Sequence, residues 1–282
     1  MLTLFMYHRV LPFAHPEAVP VNQFERQLDY LSKTYTFLST EEALSYIRGK
    51  GNFRRKNYAA LSFDDGWVDN YLYATEILRR RNMQAFLALS VGYLHEGNPR
   101  ESIGFDQLSI SMAEAQQRAA CGDFTNYLNH EELCLMHASG VWTIEAHGCV
   151  HKLGKSGTSI LAQPEPDETL DAYRQRLHSD LSSCCNTIES LTGRRPQAMF
   201  WPWGHYSDPA VAVANDVGLN IQFTVSKGII HAGDRRKIFP RIGVSSKFTK
   251  LKKNVFVFRH PLLALFHDCF HTGSVYFHTQ ER

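Results

Sequence analysis

No uninterrupted apolar run in this 282-residue chain approaches the roughly 20 residues that a bilayer-spanning helix requires. The opening stretch from Met1 to Tyr7 also lacks the basic start, long apolar core and small-residue cleavage site of a secretion signal, and reads as a strand. The expectation is a soluble or membrane-peripheral protein acting in the cytoplasm. Excess charge is missing too: 30 basic against 28 acidic side chains leave a net charge of +2, which removes any global electrostatic case for nucleic acid. Six cysteines form no CxxC pair, and Cys184 and Cys185 adjoin in a helical pattern. Free thiols in a reducing compartment are therefore expected, since a chain this long needs no disulfide staples. Internal repeats and low-complexity tracts are absent as well, so function must be sought in local constellations.

Short β-rich runs alternate with helical periodicity, which predicts an α/β architecture on a largely parallel sheet. Leu2 to His8 is the first strand. Helical spacing of Phe24, Leu28 and Leu31 follows, and Ser39 with Glu42 forms a capping box opening a second helix. The buried-strand pattern Tyr58 to Phe63 runs into Asp64, Asp65 and Gly66; a helix over Tyr71 to Arg80 and a strand over Gln84 to Val91 complete the unit. Residues 95 to 127 have weak periodicity and read as an excursion from the core, of the kind that shapes a substrate groove. A helix from about Glu131 to Ala138 and a strand from Val141 to Ala146 then deliver His147 and His151. One long amphipathic helix closes at Gly193, and strands at Ala198 to Trp201, Ile221 to Val225 and Ile238 to Val244 end the core.

Two polar clusters thus sit at strand carboxyl ends, where open sheets and barrels assemble ligand sites. Hydrolysis of an amide needs an activated water, a stabilised oxyanion and a proton for the departing amine. A divalent metal on three imidazole or carboxylate ligands, with coordination positions left open, serves the first two needs. His147 and His151, four residues apart, meet on one face if the segment turns helically. With fourteen histidines in the chain, such a pair also arises by chance. Adjacent Asp64 and Asp65 are costly by mutual repulsion unless a cation or proton resolves them, although Asp-Gly after a strand is also an ordinary turn.

Taken together, Ser62-Phe-Asp-Asp-Gly66 and His147-Gly-Cys-Val-His151, in this order, resemble the paired signature motifs of the polysaccharide deacetylases (carbohydrate esterase family 4, the NodB-homology domain). The resemblance implies a distorted (β/α) barrel of about seven parallel strands. It also implies a metal-dependent hydrolase that removes N-acetyl groups from a sugar in a polysaccharide, oligosaccharide or lipid-linked saccharide. Asp64 would be the general base, and Asp65, His147 and His151 the metal ligands. Zinc is the default for such a set, while cobalt, nickel and iron also accept two imidazoles and a carboxylate. Phe200-Trp-Pro-Trp-Gly204 partly resembles the family's groove-lining loop, which assigns Trp201 and Pro202 to the groove and the Trp203 backbone N–H to the oxyanion; Trp201 stands where many members carry Arg, and packing in the core is an equal reading for it. Met6-Tyr-His-Arg-Val10 is similar to the start of the circularly permuted, biofilm-matrix branch and makes His8 the general acid, with His278 near the other terminus in reserve. Arg241 resembles a charged position of that branch that orients a catalytic carboxylate; a structural ion pair is the alternative.

The resemblance spans about residues 1–245, with residues 246–282 as a C-terminal extension. Lys247, Lys250, Lys252, Lys253 and Arg259, interleaved with apolar residues and free of acids, suit either a solvated packing helix or peripheral contact of 247–266 with an anionic membrane. An N-acetylated glycan is the expected partner. Deformylation, O-acetyl ester hydrolysis, or glycan binding without turnover are the rival functions.

Overall fold

All six residues of the first strand, Leu2–Tyr7 (β1), are buried, as expected for a parallel strand covered on both faces. The structure is a computed structural model that describes residues 1–54, 57–149, 151–260 and 262–264. Eight further strands share the sheet of β1: Thr36–Phe37 (β2), Tyr58–Asp65 (β3), Ala85–Leu89 (β4), Trp142–Ala146 (β5), Ala198–Phe200 (β6), Ile221–Phe223 (β7), Ile238–Phe239 (β8) and Ile242–Gly243 (β9). Every pairing is parallel, in the order β8-β7-β6-β5-β4-β3-β1-β9, with β2 beside the start of β3. The expected barrel is present; its strands outnumber the expected seven because β2, two residues long, is too short to leave a periodic signal and the strand expected over Ile238 to Val244 is divided into β8 and β9.

The path of the chain explains the curl. β8 and β9 end opposite edges of the sheet, yet only Pro240 and Arg241 separate them in sequence. Three Cα–Cα steps reach at most about 11 Å, so the edges must approach and the sheet closes on itself as a distorted barrel. The single strand expected over Ile238 to Val244 is divided there because Pro240 has no N–H to give a ladder.

Strand alternation then sorts the core into two layers. Leu2, Leu4, Tyr58, Ala60, Phe86, Ala88, Phe200 and Phe223 face one another in one cluster. Their neighbours Phe5, Ala59, Leu61, Phe63, Leu87, Ile144 and Met199 pack in another with helices Val21–Ser32, Leu170–Thr192 and Asp208–Asp216. The helix Phe248–Phe258 adds Leu251, Val255 and Phe258 to that second layer and leaves Lys250, Lys252, Lys253, Phe256 and Arg259 exposed. Among the described residues no helix is long and apolar enough to cross a membrane.

The excursion has a small core of its own. Ala115 and Ala119 of the helix Met112–Ala120 pack on Trp67 and Tyr127, and Tyr93, Tyr127 and Trp67 form a continuous ring stack. This packing ties the excursion to the end of β3.

Candidate active site

Asp64 and Asp65 close β3, and strict alternation would send their side chains to opposite faces of the sheet. Asp64 keeps the alternation: like Ser62 it meets Arg241, whose Nη1 and Nη2 donate to Oδ1 and Oδ2 at 2.6 and 2.8 Å, while Nη1 reaches Ser62 Oγ at 3.2 Å. Asp65 breaks it, with φ of +79°. A non-glycine residue in that region costs about 1–3 kcal/mol and persists only where its surroundings impose it. Gly66, also at positive φ, lets the chain leave the strand sharply. The strained turn thereby carries the second carboxylate to the two histidines, and Trp67 Nε1 donates to its Oδ2 at 2.9 Å.

His147 follows β5 directly, and its N–H donates to Leu89 O. Nδ1 lies 2.5 Å from Phe200 O, an acceptor only, so Nδ1 carries a proton, and in the neutral ring the lone pair is on Nε2. Gly148, at φ of +85°, bends the chain next; a Cβ there would stand 2.5 Å from Leu161 Cδ1. Cys149 is held by Asp180, whose Oδ1 accepts its N–H and whose carbonyl accepts its thiol. His151 then turns back to the site, fixed by the Tyr93 hydroxyl donating to its carbonyl and by the Trp203 ring lying 3.9 Å from its own, centroid to centroid.

These turns converge three donors. His147 Nε2 and His151 Nε2 each lie 3.2 Å from Asp65 Oδ1, and one ligand atom from each residue lies within 4.8 Å of the others. Asp65 Oδ1 is buried and without a hydrogen-bond partner. A buried carboxylate oxygen left so, facing two imidazole nitrogens, fits a divalent cation bound by three protein ligands. Burial works to raise the Asp65 carboxyl, but His151 and His147 outweigh it and hold it far below the usual range. Burial likewise pushes the His151 imidazole down to about 4, against the pull of Asp65, so this ring is neutral and free to ligate at ordinary pH. For Asp64, burial is again outweighed, here by the Arg241 guanidinium with His147 assisting, and its carboxyl stays below the ordinary value.

His8 sits between β1 and the short strand Arg9–Leu11, close enough to Asp64, Asp65 and His151 to act on their charges. Its carbonyl accepts from Asn70 Nδ2 at 2.9 Å. The next residue, Arg9, forms a fully buried ion pair with Asp69 at 3.1 Å, and Asp69 Oδ1 accepts the Val10 N–H. That pair, which anchors the backbone beyond His8, left no trace in the sequence because its members are sixty positions apart. His278 lies outside the described residues. Trp203 reaches the site and is itself strained, with φ of +55°. Trp201 does not: its ring is fully buried in the core with Nε1 donating to Gln222 Oε1 at 3.0 Å, which is the packing alternative. Pro202 is buried beside it. A cavity of about 720 Å³ adjoins His151 and Trp203 and is walled by Tyr93, Gln116, Phe124 and Lys152, so the excursion supplies part of its lining.

The sequence matches the polysaccharide deacetylase family over residues 51–221, more than half of the chain. No curated protein matches it. Among solved structures it is similar to IcaB from Ammonifex degensii, with a TM-score of 0.70, 19% identity, and coverage of 90% of this chain and 96% of that one. A de-N-acetylase from Aggregatibacter actinomycetemcomitans is similar at a TM-score of 0.71 and 21% identity, covering 90% and 99%. The Streptococcus pyogenes deacetylase PplD, solved with acetate, gives 0.66 and 18% over 92% and 98%. At these identities the structures speak for the shared fold, and the family match, with both motifs at the strand ends, shows that the chain belongs to the polysaccharide deacetylase family.

Proposed function

We propose that the protein hydrolyses an N-acetyl group of an N-acetylated glycan, with Asp65, His147 and His151 holding a divalent metal, Asp64 as general base and His8 as general acid. The family is one of metal-dependent carbohydrate deacetylases, and the finer assignment rests on this chain's own geometry. The observation that carries it is the buried Asp65 Oδ1, engaged in no well-formed hydrogen bond and facing two imidazole nitrogens, 3.2 Å from each.

Asp65, His147 and His151 would hold a divalent cation, most simply zinc, which would supply Lewis-acid polarisation of the amide carbonyl and a lowered pKa for water. Asp64 takes the proton of the attacking water. Arg241 fixes both oxygens of that carboxylate and keeps it ionised, which sets its direction before substrate arrives. The Trp203 N–H is assigned to the oxyanion, on a backbone whose left-handed conformation is imposed by the fold. His8 delivers a proton to the departing nitrogen as the C–N bond breaks, leaving acetate and a free amine. The Arg9–Asp69 pair anchors the adjoining backbone during that transfer.

Metal content of the purified protein, with acetate release from N-acetylated saccharides in the presence and absence of chelator, tests the reading. Asp64→Asn should retain the metal and lose acetate release. Protein that neither contains nor takes up metal, or Asp64→Asn with normal turnover, would overturn it.

A further inference from the structure

For His147 the protonated nitrogen is dictated by Phe200 O, which can only accept. His151 is different: its Nδ1 lies 3.1 Å from Nε2 of the Gln116 side-chain amide, and a half-turn of that amide, equal in shape, exchanges this donor for the acceptor Oε1. If the amide donates, Nδ1 is the lone-pair nitrogen and the proton sits on Nε2, the atom facing Asp65. If the amide accepts through Oε1, Nδ1 carries the proton and Nε2 is free to ligate. Only the second arrangement is compatible with a metal on Asp65, His147 and His151.

We propose that Gln116 is a positioning residue of the metal site, holding His151 in the Nδ1–H tautomer through its Oε1; the proposal rests on the assignment of the three metal ligands. Gln116 is not near His151 by accident of a mobile side chain. The helix Met112–Ala120 is capped by Ser111, whose hydroxyl accepts the Glu114 N–H. It is seated by Ala115 and Ala119, small enough to bring its backbone close to Trp67 and Tyr127. Trp67 in turn donates to Asp65 Oδ2. One small apolar cluster therefore sets two of the three proposed metal ligands, Asp65 through Trp67 and His151 through Gln116. The excursion of residues 95–127 accordingly has a role in metal retention besides lining the cavity, and a change in it is transmitted to the metal.

Outer-shell partners of metal-bound histidines typically change affinity by about 10- to 100-fold when removed. The test uses Gln116→Met, which keeps the shape and has no strong acceptor, and Gln116→Glu, which can only accept when ionised. Zinc affinity is measured by competition with a chromophoric chelator, and the tautomer from the His151 ring ¹⁵N shifts of the zinc-loaded protein. The expected result is a 10- to 100-fold loss for Gln116→Met, affinity at or above wild type for Gln116→Glu, and an Nδ1–H ring in the wild type. Affinity of Gln116→Met within about twofold of wild type would overturn the proposal, twofold being far below the loss typical of an outer-shell partner. So would equal losses in both variants, which would mean packing alone, or an Nε2–H ring. Wild-type protein that binds no zinc would sink the ligand assignment itself, and this proposal with it, a result distinct from a zinc-binding wild type insensitive to residue 116.

Discussion

Replacing Arg241 by Met removes the counter-charge of Asp64 while keeping most of the volume. Two contacts of 2.6 and 2.8 Å place the charge centres about 4 Å apart. At an effective dielectric of about 20 their attraction is roughly 4 kcal/mol. In the wild type the folded carboxyl lies below its ordinary value, so its contribution to stability is present above that value and is lost as pH falls through the folded pKa. Without Arg241 the sign reverses. Burial then dominates, the folded carboxyl rises above its unfolded value, and a destabilisation appears as pH climbs past the unfolded pKa. Leaving one partner of a buried pair costs about 3–5 kcal/mol, which for a domain of this size lowers Tm by roughly 10 °C. Two assays follow: the pH dependence of kcat/KM for acetate release, and thermal unfolding between pH 4 and 8. The acid limb of the rate profile should move upward, and the loss in Tm should shrink toward low pH. Adding Asp64→Asn to the variant should recover part of the stability at neutral pH and none of the activity. An acid limb in the same place as wild type would refute the assignment of Asp64 as the base poised by Arg241.

Gly148→Ala should sharply reduce both metal affinity and activity, because the residue adopts φ of +85° and its Cβ would stand 2.5 Å from Leu161 Cδ1; zinc titration of the variant checks it, and the strain plus clash amounts to roughly 2–3 kcal/mol. His8→Gln should lower kcat by about 10²–10⁴-fold with zinc stoichiometry unchanged, as expected for loss of a general acid; loss of the metal instead would mean that His8 supports the site. Cys149 lines the cavity, but burial first and then the nearby Asp180 push its thiol up to about 12. Iodoacetamide at neutral pH should therefore alkylate exposed Cys121 and spare Cys149, as peptide mapping would show, and activity should survive the treatment.

Much of the site was legible because each part of it is local in sequence. The run Tyr58 to Asp65 announces a buried strand that ends in two carboxylates, and His147 to His151 follows another strand by the same pattern, so the two clusters were expected at one end of the sheet before any coordinate. Tyr7-His8 was legible for the same reason, as the end of the first strand. What periodicity could not carry was conformation that departs from it. Alternation alone would separate Asp64 from Asp65, and the left-handed turn at Asp65 that reunites them with the site is imposed by Gly66, Trp67 and the packing behind them. Trp201 and Trp203 are two positions apart, and the sequence left Trp201 between groove and core; a backbone turn at Trp203 puts the first in the core and the second on His151. Partners far apart along the chain were likewise decided only in three dimensions: Arg241 with Asp64 across the seam between β8 and β9, Arg9 with Asp69, and Gln116 with His151. The sequence by itself determined which residue types stand at the strand ends and therefore the class of chemistry. Tertiary structure alone decided which charge neutralises which, and that Nδ1 of His147 faces an acceptor carbonyl, because those depend on distances that close only when the barrel does.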